Sequence, residues 1–322
     1  MSTLIFDVHL PVPKSLLNWI LLIVLGIIWG SSFILMKLGM YDSEGKPVFR
    51  DDQVASLRMS IAGLVLAPIA LRHIRKIGNW KQLLFLGVVG FAGNFIPAFL
   101  FTFAETKVSS GYAGMLNSFT PIFALVIGFI FYGDRLTKVQ LAGVSIGTIG
   151  IVLLTFSGGN LDSTGSLVHI GAIIFATLCY GLSVNVIKNS LQGLRSFEIT
   201  ALSFFLIFWP SILISYFNGS FDTINIHPSA SNSLMYIVIL SVIGTAFAVY
   251  LFNILISRSS ILFASSVTYI IPISAVLIGF SFKESINWQQ IASMAVILLG
   301  VYVANVLSKR IERRRVALEI NK

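Results

Sequence analysis

The chain has 322 residues, of which 56% are hydrophobic and only 11% are charged, and it carries a formal net charge of +9. Its mean hydropathy is +0.89. Soluble domains hold about 45–50% apolar and about 25% charged residues, so this composition excludes an ordinary soluble domain and predicts a membrane protein.

Long stretches without charge recur along the chain. A helix needs roughly 20 apolar residues to cross a hydrocarbon core of about 30 Å. Nine charge-free stretches are long enough, and a tenth qualifies if Arg58 is tolerated inside a helix. The predicted transmembrane helices are 16–38, 53–71, 82–104, 108–132, 138–156, 165–188, 197–218, 233–256, 260–282 and 287–308. The predicted fold class is therefore an all-α polytopic membrane protein with ten transmembrane helices.

The sequence also repeats itself at a distance of 151 residues, which shortens to 150 after a one-residue deletion. The matched positions include Trp29 with Tyr180, Lys37 with Lys188, Gly93 with Gly244, Pro121 with Pro272 and, after the deletion, Asp134 with Glu284. A period this long indicates two copies of one unit rather than a solenoid.

Each copy contains five predicted helices, and two consecutive copies of an odd-numbered unit insert in opposite orientations. The prediction is thus two inverted five-helix repeats, which typically place matched gates on either side of a central site. This arrangement favours alternating access over a receptor or a membrane enzyme. The predicted segments are a cytoplasmic N-terminal segment 1–15, a first repeat 16–156, a second repeat 165–308 and a basic cytoplasmic tail 309–322.

The basic residues are distributed unevenly between the two predicted sides. With the N-terminus inside, 16 of 22 fall on the cytoplasmic side and 4 on the outside, as the positive-inside rule requires. The charge therefore follows topology and does not predict a nucleic-acid partner. We expect both termini to be cytoplasmic, in a cell inner membrane, with the tail acting as a topology anchor or as a contact for anionic lipid.

Short motifs along both halves resemble one known family. They are Trp29-Gly30-Ser31-Ser32-Phe33 through Lys37, Leu57-Arg58, Thr120-Pro121-Ile122-Phe123-Ala124, Tyr132-Gly133-Asp134-Arg135-Leu136-Thr137, Pro272-Ile273-Ser274-Ala275 and Lys283-Glu284. Their order and doubling resemble the EamA-type proteins of the drug/metabolite transporter superfamily. The resemblance implies ten helices around a central cavity lined mainly by helices 1, 3, 4, 6, 8 and 9, and transport of small metabolites, often export of amino acids. The second copy departs from the pattern at Tyr180, which stands at a Trp-like position, and at the degraded turn Ser285-Ile286-Asn287.

Three prolines lie inside the apolar runs. Pro97, Pro121 and Pro272 each remove a helical hydrogen bond and press on the carbonyl four residues earlier. In hydrocarbon a freed carbonyl is tolerated only where protein, water or a ligand satisfies it. The prolines therefore predict either kinks that face a cavity or packed kinks satisfied by neighbouring Ser or Thr side chains.

Polar and aromatic side chains cluster near the level of these prolines. Such residues either hold membrane helices together or line an aqueous path. The candidates for binding a substrate in a central cavity are Trp29, Asn94, Tyr112, Asn117, Tyr180, Tyr250, Asn253, Thr268 and Tyr269. Rings together with amide and hydroxyl groups suit an amphipathic solute.

Charged residues within the predicted helices are candidates for gates. Lys37 lies about 31 Å along the first helix at a rise of 1.5 Å per residue, and Lys188 lies equally deep in the sixth. They either snorkel to opposite membrane surfaces or form mirror-related gate contacts. For Arg58 we expect an ion pair at the outer gate with Asp51, Asp52 or Glu105.

Several chemistries have no residues to support them. No carboxylate lies near a helix midpoint, which argues against a drug antiporter driven through a buried glutamate. Neither a Walker-type loop, a metal-spaced set of His and Cys nor a nucleophile with its base is present, so we expect no enzyme activity, no cofactor and no metal.

These patterns predict a secondary transporter or facilitator that moves amino acids or related amphipathic metabolites, with export favoured. Two alternatives remain open: an exchanger of phosphorylated or nucleotide-linked metabolites that uses Lys37, Arg58 and Lys188, and a scaffold or lipid-handling protein. The expected partners are a small-molecule substrate and the lipid bilayer. The pair Gly143 and Gly147 permits close helix approach, either within the chain or at a dimer seam, so the predicted state is a monomer or a weak dimer.

Overall fold

The computed structural model describes residues 14–134, 136–157, 164–259, 267–308 and 310. Within these ranges the chain is helical and contains no strand, apart from an isolated bridge between Tyr41 and Pro47. The α-helices are α1 Lys14–Met40, α2 Asp51–His73, α3 Trp80–Gly90, α4 Ile96–Glu105, α5 Ser110–Asn117, α6 Thr120–Tyr132, α7 Lys138–Ser157, α8 Thr164–Ser190, α9 Ser196–Phe217, α10 Ser220–Ile226, α11 Ala230–Ser241, α12 Ala248–Arg258, α13 Val267–Ser281 and α14 Trp288–Tyr302.

Nine spans in the described part of the chain are long and apolar enough to cross a membrane. They are Leu16–Met40, Asp51–Lys76, Trp80–Glu105, Ser110–Tyr132, Lys138–Ser157, Leu167–Ser190, Ser196–Phe217, Ala230–Phe252 and Trp288–Leu307. The described part of the predicted ninth helix, Val267–Ser281, is shorter, and the predicted start of that helix at 260–266 lies outside the described residues. The chain is therefore a multi-pass helical membrane protein.

The predicted connection 219–232 contains a feature that the sequence pattern missed. Residues Ser220–Ile226 form the short helix α10. Gly219 precedes it with φ +75°, a left-handed conformation that glycine adopts without steric cost. The side chain of Asp222 lies in its first turn, where a negative charge favours a helix N-terminus.

Two spans are interrupted by π-helical turns at positions related by the 151-residue shift. The turn Phe91–Phe95 joins α3 to α4, and the turn Val242–Phe247 joins α11 to α12. A π turn inserts one residue into the α-helical ladder and is frequent at functional sites. A third π turn, Val303–Leu307, continues α14.

The main helix contacts join the first half of the chain to the second. Helix α1 packs on α11, α12 and α13, whereas α8 packs on α3, α4 and α6. The remaining large contacts are α2 with α9 and α7 with α14. A Cβ placed on Gly300 would collide with the backbone of Gly147 and Gly143. The glycines of α7 thus serve close packing against α14 within the chain.

Candidate functional site

An ion pair connects the two halves near the C-terminal end of α1. Lys37 Nζ donates to Glu284 Oε1 at 3.1 Å. The same carboxylate accepts the amides of Ser110 and Gly111, at 2.9 and 3.0 Å, at the N-terminus of α5. Glu284 is thus held by one cation and by two backbone N–H groups at the positive end of a helix.

The surroundings of Glu284 act on its pKa in opposite directions. Burial raises the pKa of this carboxyl, but the hydrogen bonds from Gly111 and Ser110 and the charge of Lys37 outweigh burial and hold it below its usual range. The carboxylate therefore remains charged, which preserves the ion pair.

A second ion pair occupies the positions related by the repeat. Lys188 Nζ donates to Asp134 Oδ2 at 3.0 Å, and Lys188 and Asp134 are the repeat counterparts of Lys37 and Glu284. Each pair joins a lysine of one half to an acid of the other. For both lysines, an ion pair rather than simple snorkelling describes the contact that the side chain makes.

The two ion pairs lie at opposite ends of one membrane span. Ser110 begins the span Ser110–Tyr132 and donates to Glu284, whereas Asp134 follows the last residue of that span. A helix of 23 residues is about 34 Å long at 1.5 Å per residue. We call these ends of the molecule the Lys37 face and the Lys188 face.

Between the two faces, aromatic rings also form two repeat-related pairs. The ring of Trp29 lies 5.3 Å from that of Phe252, and the ring of Tyr180 stacks on Phe101 at 6.1 Å. Trp29 corresponds to Tyr180, and Phe101 to Phe252. Each of the first two residues precedes its gate lysine by eight positions, or about 12 Å along the helix, so both lie towards the middle of the bundle.

The π turns bring polar groups to the same region. Asn94 Nδ2 donates to Val89 O at 3.4 Å, and its counterpart Thr245 donates through Oγ1 to Leu240 O at 3.1 Å. Both bonds reach the carbonyl five residues earlier. The amide and hydroxyl groups thus stabilise the two turns from inside their own helices.

Small residues allow the first helix of each half to approach the π turn of the other. A Cβ on Gly244 would lie 3.1 Å from Ser32 Oγ, and one on Gly93 would collide with Ser183 Oγ. Ser32 and Ser183 are again related by 151 residues. The centre of the bundle is therefore built from α1, α8 and the two π turns.

Two of the three prolines fall where helices are interrupted, and the third does not. Pro97 and Pro121 occupy the first turns of α4 and α6, whereas Pro272 lies within the continuous helix α13. Thr120 Oγ1 donates to the carbonyl of Asn117 at 2.9 Å. The carbonyl that Pro121 frees thus has a protein partner, as in the packed-kink alternative.

Two predicted substrate contacts are placed elsewhere. Tyr112 is buried and its hydroxyl donates to Leu154 O at 2.9 Å, so it links α5 to α7. Tyr250 is 57% exposed on the outer surface of α12, where it stacks on Phe247 and follows the exposed Ile243. Ile243, Phe247 and Tyr250 are all exposed on this surface of the span, which is apolar and suits contact with lipid.

The remaining candidates differ in what the structure describes. Asn117 is half-buried beside Thr120. Thr268 and Tyr269 are half-buried in the first turn of α13, and the Tyr269 hydroxyl is buried with no hydrogen-bond partner in the described part of the chain. The side chain of Asn253 lies outside the described residues.

The ion pair expected for Arg58 is not formed. Among the described residues, Asp52 pairs with Arg50 instead, at 2.9 Å, and both oxygens of Glu105 are buried without a hydrogen bond. Arg58 Nη1 lies 3.6 Å from Met36 Sδ and Nη2 lies 3.5 Å from Thr245 Oγ1. The arginine points inward along α1 towards the π turn, away from the surface where Asp52 lies.

Sequence reasoning missed several residues of this site, namely Ser32, Phe101, Asp134, Ser183, Thr245, Phe252 and Glu284. All seven belong to repeat-related pairs. The shift had already paired Asp134 with Glu284 without giving them a role, and applying it to every polar or aromatic residue would have found the other five. In the described part of the chain, no group of three His, Cys, Asp or Glu residues is placed to hold a metal ion.

Comparison with known proteins agrees with this architecture. The chain matches the EamA-like transporter family twice, over residues 17–156 and 168–306. The uncharacterized inner membrane transporter YedA of Escherichia coli (strain K12) is 28% identical over 88% of this chain and 87% of that protein. A probable terminal-alkyne amino-acid exporter of Streptantibioticus cattleyicolor is 23% identical over 81% of this chain and 84% of that one.

Two further comparisons cover most of the chain. A probable amino-acid metabolite efflux pump of Salmonella typhimurium is 23% identical over 89% of this chain and 94% of that protein. A solved crystal structure superposes on 92% of this chain and 98% of that one with a TM-score of 0.59 at 16% identity, which supports the fold alone. The two matched segments together cover most of the sequence, and the chain therefore belongs to the EamA-like transporter family of membrane transporters.

Proposed function

We propose that the protein is a secondary transporter or facilitator that exports amino acids or related amphipathic metabolites by alternating access. The observation that carries this proposal is the pair of reciprocal ion pairs, Lys37–Glu284 and Lys188–Asp134, at opposite ends of the bundle. Each pair joins the two halves, so each can open only when the halves separate at that end. Alternating access requires such a releasable contact at each end.

The proposal includes two halves inserted in opposite orientations, as ten helices, with both termini in the cytoplasm. In its support, α1 and α8 are repeat counterparts, and the lysines near their C-terminal ends reach opposite faces. The uneven distribution of basic residues favours the same orientation. The Lys37 face is then the outer face, and the structure is closed there by the more buried of the two pairs.

The proposed substrate class follows from the centre of the bundle. Half-buried rings of Trp29 and Tyr180 stand beside Phe252 and Phe101, and polar π turns lie next to them. Such a lining suits a solute with an apolar part and a few polar groups. Two relatives are named as a probable exporter of an amino acid and as a probable efflux pump for amino-acid metabolites, which favours export of that class.

The two alternatives from the sequence receive less support. A phosphorylated substrate would use Lys37, Arg58 and Lys188 as anion contacts, but the ammonium groups of both lysines are engaged by carboxylates, which leaves Arg58 as the only cation of the three without a carboxylate partner in the described residues. A scaffold or lipid-handling protein gives no reason for two reciprocal ion pairs at opposite ends.

Crosslinking at each gate tests the mechanism directly. Cys179 is the single cysteine, so Cys179→Ser gives a cysteine-free background. In that background we would introduce either Lys37→Cys with Glu284→Cys or Lys188→Cys with Asp134→Cys, reconstitute the protein in liposomes and apply a short reducible crosslinker. We expect crosslinking at either end to stop flux of labelled phenylalanine or leucine, and reduction to restore it.

A matched control is available on the Lys37 face. Lys46 and Glu44 form an exposed ion pair within one loop, at 2.6 Å, and crosslinking the corresponding cysteines should leave flux unchanged. Persistent flux with a gate crosslinked would refute alternating access. Transport of sugar phosphates but of no amino acid in the uncrosslinked protein would reverse the substrate assignment.

A further inference from the structure

Glu105 is a buried carboxylate that accepts no hydrogen bond from the described part of the chain. Only 1% of the residue is exposed. The Ser110 hydroxyl is nearby but outside hydrogen-bonding geometry. Glu105 also ends α4, where the partial negative charge of the helix C-terminus opposes a second negative charge. A carboxylate in this position needs a cation.

Arg58 presents the complementary case. Among the described residues, its Nε is buried without a partner, and its two other nitrogens reach only Met36 Sδ and Thr245 Oγ1, both at long distances. A guanidinium has five N–H donors in a planar fork that fits a carboxylate. The arginine therefore has nearly its whole donor set available to a ligand.

Both groups lie near the Lys37–Glu284 ion pair. Arg58 contacts Met36, which precedes Lys37. Glu105 lies near Ser110, whose amide donates to Glu284. No direct ion pair between Arg58 and Glu105 is found in the described residues, and Lys37 and Glu284 are already bound to each other. The four charges sum to zero, so the cluster as a whole is balanced. What remains is one cation and one anion, separated from each other and each without a hydrogen-bonded counter-ion.

Their position is close to the central aromatic residues. Thr245, which Arg58 reaches, lies in the π turn whose Gly244 packs on Ser32 of α1. Arg58 and Glu105 thus lie between the Lys37–Glu284 ion pair and the centre of the bundle, where Tyr180 stacks on Phe101.

We propose that Arg58 and Glu105 are the two poles of a binding site for a zwitterion. The guanidinium of Arg58 binds the carboxylate of an amino acid, and the carboxylate of Glu105 binds its ammonium group. The side chain of the amino acid then faces Tyr180 and Phe101. This assignment rests on the proposed function, because it names the contacts by which an amino-acid transporter recognises its substrate.

The charge balance decides which class of solute fits. A zwitterion adds no net charge and supplies a partner to both poles. A simple anion leaves Glu105 unpaired beside a second negative charge, and a simple cation leaves Arg58 unpaired in the same way. Because an unpaired buried charge is strongly unfavourable, both singly charged classes should be rejected.

The test uses phenylalanine and two blocked analogues of nearly the same size. Phenylalaninamide keeps the ammonium group and lacks the carboxylate, whereas N-acetylphenylalanine keeps the carboxylate and lacks the ammonium group. In liposomes that contain the wild-type protein, each unlabelled compound competes with labelled phenylalanine. We expect either blocked analogue to compete about tenfold more weakly or worse, the effect of losing one charge-assisted hydrogen bond.

Variants at the two poles should change the ranking in opposite directions. Glu105→Gln should weaken the binding of phenylalanine about tenfold. In this variant N-acetylphenylalanine should compete better than phenylalaninamide, because its carboxylate no longer faces the negative charge of Glu105. Arg58→Gln should favour phenylalaninamide instead. The conservative variants Glu105→Asp and Arg58→Lys keep the charges and should keep the wild-type ranking. Size-exclusion profiles identify any variant that fails to fold.

The outcomes separate this assignment from the proposed function. Wild-type protein that transports amino acids but accepts both blocked analogues equally well would overturn the zwitterion site alone. Folded Gln variants in which all three compounds compete more weakly by the same factor would also overturn it. A residue with only a structural role lowers the affinity for every compound and does not change their order. Wild-type protein that transports no amino acid in any assay would overturn the proposed function first.

Discussion

The two gate ion pairs have the same chemistry but very different surroundings. On the Lys37 face, the side chains of Lys37 and Glu284 are 33% and 8% exposed, and the carboxylate also accepts two amides. On the Lys188 face, the side chains of Lys188 and Asp134 are 61% and 48% exposed. An ion pair in water contributes little, whereas a buried and hydrogen-bonded one is costly to break. The ion pair therefore holds the two halves together more strongly at the Lys37 face than at the Lys188 face.

Under the alternating access that we propose, the difference between the two ion pairs is expected to change from one state to the other. If both pairs were equally strong, neither end would open in preference to the other. In the structure described here, two amides of α5 donate hydrogen bonds to Glu284 and so strengthen the ion pair at the Lys37 face. A mirror-image state would place the stronger pair at the Lys188 face, so the inequality between the pairs is a property of one conformation.

The largest expected effect comes from neutralising the buried acid. Glu284→Gln leaves Lys37 without its counter-ion and weakens the two amide hydrogen bonds. We expect a loss of about 2–3 kcal/mol in the free energy of unfolding, the typical value for hydrogen bonds to a charged group. Thermal unfolding of the purified protein in detergent measures this loss. Lys37→Met removes only the ion pair and keeps the two amide hydrogen bonds, so it should lose less stability than Glu284→Gln. An unchanged stability in Lys37→Met would show that the ion pair itself contributes little.

A matched pair of glycine substitutions gives the next largest contrast. A Cβ on Gly279 would lie 2.7 Å from Glu284 Oε2, and one on Gly128 would lie 2.8 Å from Asp134 Oδ2. Glu284 is fixed by the amides of α5, so Gly279→Ala should cost about 1–3 kcal/mol, as overpacking typically does. The half-exposed Asp134 can turn outwards, and Gly128→Ala should cost about 1 kcal/mol or less. Equal losses of stability in the two variants would mean that the acids are equally constrained.

The pH dependence of stability should differ between wild type and Glu284→Gln. The pKa of Glu284 is lowered in the folded protein, so its contribution is present above the pKa of the unfolded chain and is lost as the pH falls through the folded pKa. The stability gap between the two proteins should thus be constant near neutral pH and shrink below about pH 4, where glutamate usually titrates. Unfolding temperatures measured from pH 7 down to pH 3.5 test this. A gap that widens in acid would contradict the sign of the shift.

The repeat accounts for most of what the sequence could predict. Identical spacing in both halves paired Lys37 with Lys188 and Trp29 with Tyr180, and the structure gives both members of each pair the same kind of partner, a carboxylate for the lysines and a phenylalanine ring for the aromatic residues. The contact partners of these residues were harder to predict. Which acid meets Lys37 depends on how the halves pack, and no local pattern reports that packing.

Helix rotation explains the misplaced aromatic residues. The π turn Val242–Phe247 adds a residue to the helical ladder and rotates the residues beyond it, and the sequence gives no sign of this rotation. Tyr250 lies in that part of the chain and proves to be exposed beside Phe247. Tyr112 precedes the break at Asn117 and is turned towards α7. In apolar helices the sequence offers few polar residues from which to correct such a rotation.

Arg58 illustrates a different limit of sequence reasoning. Asp51 and Asp52 are near it in sequence, and proximity along the chain made them natural partners. In the structure, Asp52 instead accepts from Arg50 and from Asn218. Asp51 and Arg58 are seven positions apart and share a helix face. A carboxylate at the surface does not reach the guanidinium, however, because the Arg58 side chain points into the protein. Arg58, which has no ion pair among the described residues, is one pole of the substrate site that we propose.

The smallest expected loss of stability is at the Lys188 face, and it serves as the control for the comparison of the two ends. Asp134→Asn removes an ion pair in which both side chains are about half exposed, so the loss of stability should be below about 1 kcal/mol. Salt screens exposed charges far more than buried ones. The difference between Asp134→Asn and wild type should therefore vanish when salt is raised, whereas that of Glu284→Gln should persist. Unfolding temperatures of the three proteins at low and high salt decide the matter, because an Asp134→Asn loss as large and as salt-resistant as that of Glu284→Gln would make the two ends equally closed.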